Sequence, residues 1–120
     1  MDIQKIKKRR DFLIGNNSSY AAMPSVVVQS YLRTDEVVKT DDSIMMGITC
    51  SKKVGNAVTR NRAKRRLREA GKIVLKGIGL KKTNYIFIAR KTMTVTVKFT
   101  DLCRDLEAGI KKIHEREADQ

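Results

Sequence analysis

A chain of 120 residues with 26 lysines and arginines against 13 acids carries a formal charge of +13, which points to a polyanionic partner, nucleic acid ahead of acidic protein or membrane. Its length suits one domain, residues 1–120, with a modest core, and three Phe, three Tyr and no Trp leave that core to Val, Ile, Leu and Met. No apolar run approaches the roughly 20 residues of a spanning helix, and the opening MDIQKIKKRRDF lacks the apolar stretch of a secretory signal, so a cytoplasmic protein with no membrane partner is expected.

The first ten residues are basic, with only Ile3 and Ile6 offering apolar contact, and residues 1–7 are expected to be mobile. A short helix is predicted over residues 8–14, stopped by Gly15 and the polar run that follows it. Phe12 stands out there, either as an anchor that pins this helix to the domain or as an aromatic surface for a ligand. Residues 25–33 (SVVVQSYLR) follow Pro24 and are rich in β-branched side chains, which predicts a strand. An acidic tract over residues 34–43, with Asp35, Glu36, Asp41 and Asp42, reads as a solvated loop or hairpin connection. Residues 44–50 (IMMGITC) predict a second strand, with Ile44, Met46, Ile48 and Cys50 on one face. Residues 51–54 prolong it or add a short third strand.

From residue 52 to residue 72 there are nine basic residues and one acid, Glu69. Gly55-Asn56 is a turn signal, and Asn56 suits the N-cap of a long helix. At roughly 100° per residue, Thr59, Ala63, Leu67, Ala70 and Val74 form one apolar stripe that docks on a sheet. Arg60, Lys64 and Arg68 then share one row, Arg62 and Arg66 another, with Asn61 and Arg65 between. Like charges at this spacing cost a few tenths of a kcal/mol per pair, so an external anion is expected to compensate. Arginine forks match phosphate oxygens. After this helix, residues 76–79 carry two glycines and read as irregular, and residues 84–90 (NYIFIAR) predict a strand alternating Tyr85 and Phe87 against Ile86 and Ile88. Residues 92–96 connect to a final amphipathic helix with Phe99, Leu102, Cys103, Leu106, Ile110 and Ile113 on its core side. The order α-β-β-(β)-α-β-α is an α+β, two-layer sandwich.

The run Lys52-Lys53-Val54-Gly55-Asn56-Ala57-Val58, followed by Arg60-Asn61-Arg62 and Lys64-Arg65, closely resembles the signature of the bacterial ribonuclease P protein subunit. The likeness reaches from Phe12 through the IFIARK segment to the final helix. It implies a left-handed βαβ crossover, an exception to the usual right-handed rule, which patterning alone does not reveal. It also implies that the chain is the accessory protein of a ribonucleoprotein endoribonuclease, whose RNA performs Mg²⁺-dependent removal of the 5′ leader of precursor tRNA. The implied partners are that catalytic RNA and precursor tRNA, with no obligate protein partner and no cofactor held by the protein alone. Carried over residue by residue, Lys52, Lys53, Asn56, Arg60, Asn61, Arg62, Lys64, Arg65 and Arg68 contact the catalytic RNA. Phe12 matches the aromatic of the leader-binding cleft. Where relatives often place a second aromatic one turn later this chain has Asn16, and Tyr31 is the candidate for the missing ring.

Protein-borne catalysis finds little support in the residues. His114 is the single histidine and is expected to be solvated near the C-terminus. Cys50 and Cys103 have no partner at metal-ligand spacing and read as reduced, buried, small hydrophobes. The loop carboxylates lack the rigid frame that a two-metal nuclease needs, so no catalytic residue and no metal ligand is assigned. Two other readings remain: a structural RNA-binding protein such as a ribosomal component, and a metal-dependent nuclease acting alone.

Overall fold

A computed structural model describes residues 3–6, 19–33 and 42–118. The expected helix over residues 8–14, Phe12, and the acids Asp35, Glu36 and Asp41 lie outside the described residues. Five strands form one sheet: β1 (Ile3–Lys5), β2 (Ser19–Ala22), β3 (Val26–Leu32), β4 (Ile44–Thr49) and β5 (Thr83–Ala89), in the spatial order β1-β4-β5-β3-β2. Among the described residues the α-helices are α1 (Ala57–Ile78), the single turn α2 (Met93–Thr96) and α3 (Phe99–Ala118). β4 and β5 are parallel neighbours joined through α1, the unit in which the resemblance implies a left-handed crossover. β3 runs antiparallel to β5 with Val28 opposite Phe87 and Tyr31 opposite Asn84.

Alternation along the strands builds two faces. Val26, Val28, Ile44, Met46, Tyr85 and Phe87 turn toward α1 and α3, which supply Ala63, Leu67, Ala70 and Val74 from one helix and Leu102, Leu106, Ile110 and Ile113 from the other. The predicted stripes of both helices therefore meet the predicted strand faces. Truncating a fully buried member such as Leu67 or Leu106 to Ala costs about 2–5 kcal/mol. The opposite face carries a smaller cluster of Ile6, Tyr31 and Ile86 flanked by Met45 and Ile88. α1 lies close enough to the sheet that a Cβ on Gly71 would sit 2.6 Å from both the Met46 sulfur and a Phe87 ring carbon. Glycine at this position sets how deeply the basic helix seats.

Four elements differ from expectation. The segment expected to be mobile contains β1, which pairs in parallel with β4, Ile3 opposite Ile44. Burial of Ile6, 2 % exposed, ties down its end. β2 has no counterpart among the predicted elements, because SYAA has little strand propensity of its own; it forms by pairing with β3 across a turn in which the Met23 N–H bonds the Val26 C=O. Residues 52–54 make a 3₁₀ turn and no strand, which carries Val54 into the core. α1 runs on through Gly77 to Ile78 and closes with the Gly79 N–H on the Leu75 C=O, 2.8 Å. Burial of Val74 and Leu75 outweighs the roughly 1 kcal/mol that a helical glycine costs.

Candidate nucleic-acid interface

The start of α1 is fixed by local chemistry. Asn56 is its N-cap, and the side-chain Oδ1 accepts the Thr59 N–H at 2.9 Å. Gly55 adopts φ 155°, where a Cβ would also lie 2.9 Å from Thr59 side-chain carbons, so glycine is required at this bend. Lys52 and Lys53 project from the preceding 3₁₀ turn and are exposed. The first turn of α1 contains no acid. Its free N–H groups and positive dipole end thus face outward beside lysines, an arrangement that favours an anion.

Along α1 the cations divide into two flanks. On one flank Arg60, Lys64 and Arg68 are half-buried at their stems toward the β4 and β1 edge, where the Cys50 sulfur lies 4.0 Å from the Arg60 carbonyl. Asn61, Arg62 and Arg65 are exposed on the outer surface. On the other flank, Arg66 donates from Nε to the Thr94 carbonyl at 3.0 Å and from Nη2 to the Val97 carbonyl. The row that pairs Arg62 with Arg66 in the sequence is therefore split: Arg62 faces solvent and Arg66 secures the connection between β5 and α3.

That connection is a strained piece of chain. Thr92 has φ 70° and ψ −58°, and the Met93 N–H bonds the Lys91 carbonyl at 2.8 Å, a γ-turn of the rarer positive-φ form. The fully buried Thr94 hydroxyl accepts the Arg90 N–H and donates to the Ser25 carbonyl, and Ser25 in turn bonds Asp105. Among the described residues the ion pairs are Lys82 with Asp42, Arg104 with Asp101 and Lys111 with Glu107, none of which involves α1. The exposed cations of α1 are not neutralised by these.

On the opposite sheet face Tyr31 is 7 % exposed and packs with Ile6 and Ile86. Its hydroxyl accepts the Asn84 side-chain amide at 2.6 Å, the Asn84 Oδ1 accepts from Arg33 at 2.7 Å, and Arg33 also donates to the Ser43 carbonyl. The ring is built into the floor of that face.

His114 is not solvated as expected. It is half-buried, with Nε2 at 3.0 Å from the Tyr85 hydroxyl. That hydroxyl also accepts the Leu80 N–H at 2.9 Å, and the histidine tautomer sets which of the Tyr85 oxygen and the imidazole nitrogen donates to the other. Burial pushes the His114 pKa down and the Tyr85 pKa up. A fully buried tyrosine needs a partner for its hydroxyl, and the imidazole supplies it. The signal available in the sequence is the position of His114 next to Ile113 and four after Ile110, at the margin of the apolar stripe. Cys50 and Cys103 are free thiols, half-buried where full burial is expected, and burial pushes both above the ordinary thiol pKa. Among the described residues no three His, Cys, Asp or Glu side chains converge to hold a metal, and no helix is long and apolar enough to cross a membrane.

Residues 2–114 match the sequence model of the Ribonuclease P family. The chain is 41% identical over 112 residues to the ribonuclease P protein component of Ruegeria pomeroyi, covering 93% of this chain and 87% of that one. It is 36% identical over 126 residues to the component of Caulobacter vibrioides, covering 97% and 82%. Among solved structures it is similar to the RNase P protein of Staphylococcus aureus, with a TM-score of 0.70 at 31% identity over 89% of this chain and 92% of that one. It is also similar to that of Thermotoga maritima, with a TM-score of 0.69 at 26% identity over 86% and 91%.

Proposed function

The chain belongs to the ribonuclease P protein family, whose members are subunits of the ribonuclease P complex, and we propose that it serves the complex as a cationic clamp and leaves bond cleavage to the RNA. Lys52, Lys53, Asn56, Arg60, Asn61, Arg62, Lys64, Arg65 and Arg68 contact the catalytic RNA. Asn61 adds a donor and an acceptor suited to a 2′-hydroxyl. Phe12 and the opposite sheet face take the 5′ leader of precursor tRNA, with Tyr31 as apolar floor and Phe12 as the stacking surface. The observation that carries this reading is the α1 surface, a capped helix whose exposed cations have no acidic partner among the described residues.

Such a surface neutralises phosphate repulsion where two RNAs approach, raising substrate affinity and lowering the Mg²⁺ needed to screen them. In this reading the Mg²⁺ ion belongs to the RNA, and no step of the chemistry is given to this chain. The protein works in the cytoplasm on precursor tRNA.

The test is reconstitution at low Mg²⁺ with a ribonuclease P RNA and precursor tRNA. Cleavage at the mature 5′ end that depends on both macromolecules is expected. Cleavage by the polypeptide alone, or no effect of the polypeptide on the RNA, overturns the reading. Phe12→Ala is expected to reduce the preference for leader-bearing over mature tRNA; equal loss for both removes Phe12 from the cleft.

A further inference from the structure

A groove at one sheet edge lies between β1 and the Lys64 flank of α1, and the function proposed above uses its Lys64 and Arg68 wall but not the β1 side. It encloses about 380 Å³. Its floor is Met46, Gly47 and Ile48 of β4, one wall is residues 3–6, and the other is Lys64, Arg68 and Lys72. β1 is the outer strand, with β4 as its partner. The Ile6 N–H bonds the Met46 carbonyl at 3.0 Å, and the alternation of a parallel ladder therefore turns the backbone N–H and C=O of Ile3 and Lys5 outward. These groups have no hydrogen-bond partner among the described residues. Ile3 packs toward the main core and Ile6 toward the opposite cluster, so Lys5 shares the α1 side with Ile3.

Four cations thus line this groove, Lys5 from the strand and Lys64, Arg68 and Lys72 from the helix, and no carboxylate lies among its lining residues. Like charges facing each other across a partly apolar gap are unfavourable until an anion enters. We propose that the groove holds an unpaired segment of RNA, with phosphates along the Lys64, Arg68 and Lys72 row, a base on the apolar floor, and that base's edge against the outward backbone groups of Ile3 and Lys5. This rests on α1 facing RNA, and it names the class of RNA that this flank takes.

Three features select a single strand. The helix row repeats about every 6 Å along one line, which follows one chain and does not straddle two. An apolar floor suits the face of a base, as in sequence-tolerant binding of single strands. The outward N–H and C=O of an edge strand can reach a Watson–Crick edge only when that edge is unpaired, as in loops and ends. An extended acidic peptide could also pair with β1, but alternate side chains of a strand point to opposite faces. RNA presents a charge at every unit to the helix row, and the groove is continuous with the proposed RNA surface.

The test uses the double variant Lys5→Glu with Lys72→Glu, both at exposed positions outside the set assigned to the catalytic RNA. The control is Lys111→Glu with Lys112→Glu on the exposed side of α3, which changes net charge equally. Fluorescence anisotropy at fixed salt compares an eight-nucleotide oligouridine with a blunt RNA hairpin of the same phosphate count. Relative to the control variant, the groove variant is expected to lose about tenfold in affinity for the oligouridine and less than about twofold for the hairpin. Equal losses for the two RNAs, or a groove variant that binds both as the control variant does, overturn the groove. An oligoglutamate peptide that loses more affinity than the oligouridine overturns it in favour of an acidic peptide. Wild-type protein that fails to bind a ribonuclease P RNA under these conditions sinks the proposed function itself, whereas intact binding with unchanged oligouridine selectivity sinks the groove alone.

Discussion

The two flanks of α1 have similar side chains and opposite employment. Arg66 commits its donors to the carbonyls of Thr94 and Val97, holding the strained Thr92 turn and the start of α3 to the basic helix. Arg60, Lys64 and Arg68, at neighbouring positions in the same cationic run, make no ion pair with a described residue. The contrast teaches that density of charge does not identify a binding residue. What separates the flanks is whether the fold itself supplies acceptors, and among the described residues it supplies them to Arg66 on the α3 side.

The largest expected effect breaks this contrast directly. Arg66→Ala removes two charge-assisted bonds and leaves two carbonyls without their partner, and should cost about 2–3 kcal/mol in urea unfolding. Arg65→Ala, fully on the outer surface, should stay within about 0.5 kcal/mol. If the two variants unfold alike, the division between flanks is wrong. Gly71→Ala tests how the helix is seated: its methyl would collide with Met46 and Phe87, with an expected loss of about 1–3 kcal/mol. A thermal midpoint equal to wild type would show that the sheet yields easily. Asn56→Ala should cost about 1 kcal/mol by removing the cap on Thr59; a value near zero would mean that the turn at Gly55 alone fixes the helix start.

The smallest effect is a pH dependence at the other end of α1, where Leu80, Tyr85 and His114 are joined. Burial lowers the folded pKa of His114 below its ordinary value, so the unfolded chain binds more protons across that interval. Its contribution is present above the unfolded pKa, near 6.5, and is lost as pH falls through the folded pKa. Stability measured from pH 7 down to pH 5 should decline less in His114→Gln than in wild type. Parallel declines would show that His114 does not set this dependence.

Much of the fold is legible in the sequence because local signals and the packing agree. The Gly55-Asn56 turn, the stripe from Ala63 to Val74, and the alternation of Tyr85 and Phe87 against Ile86 and Ile88 each state a period that the fold keeps. β1 and β2 are not legible, since three and four residues of middling propensity become strands only when β4 and β3 are beside them. The role of Arg66 is hidden for a similar reason: its acceptors lie 28 and 31 residues away. In the groove, Lys72 continues the i, i+4 row and is visible as such, whereas Lys5 joins it through strand pairing alone.

The most direct test of the claim that one flank serves RNA and the other the fold is the salt dependence of binding to a ribonuclease P RNA. Wild type and Arg66→Ala, compared at a temperature where both are folded, should show the same slope of log K against log salt. The triple variant Arg60→Glu, Arg62→Glu and Arg65→Glu should bind more weakly, with the slope shallower by about 0.7–0.9 for each phosphate it no longer neutralises. An unchanged slope in the triple variant, or a slope that flattens in Arg66→Ala instead, contradicts this division between the flanks.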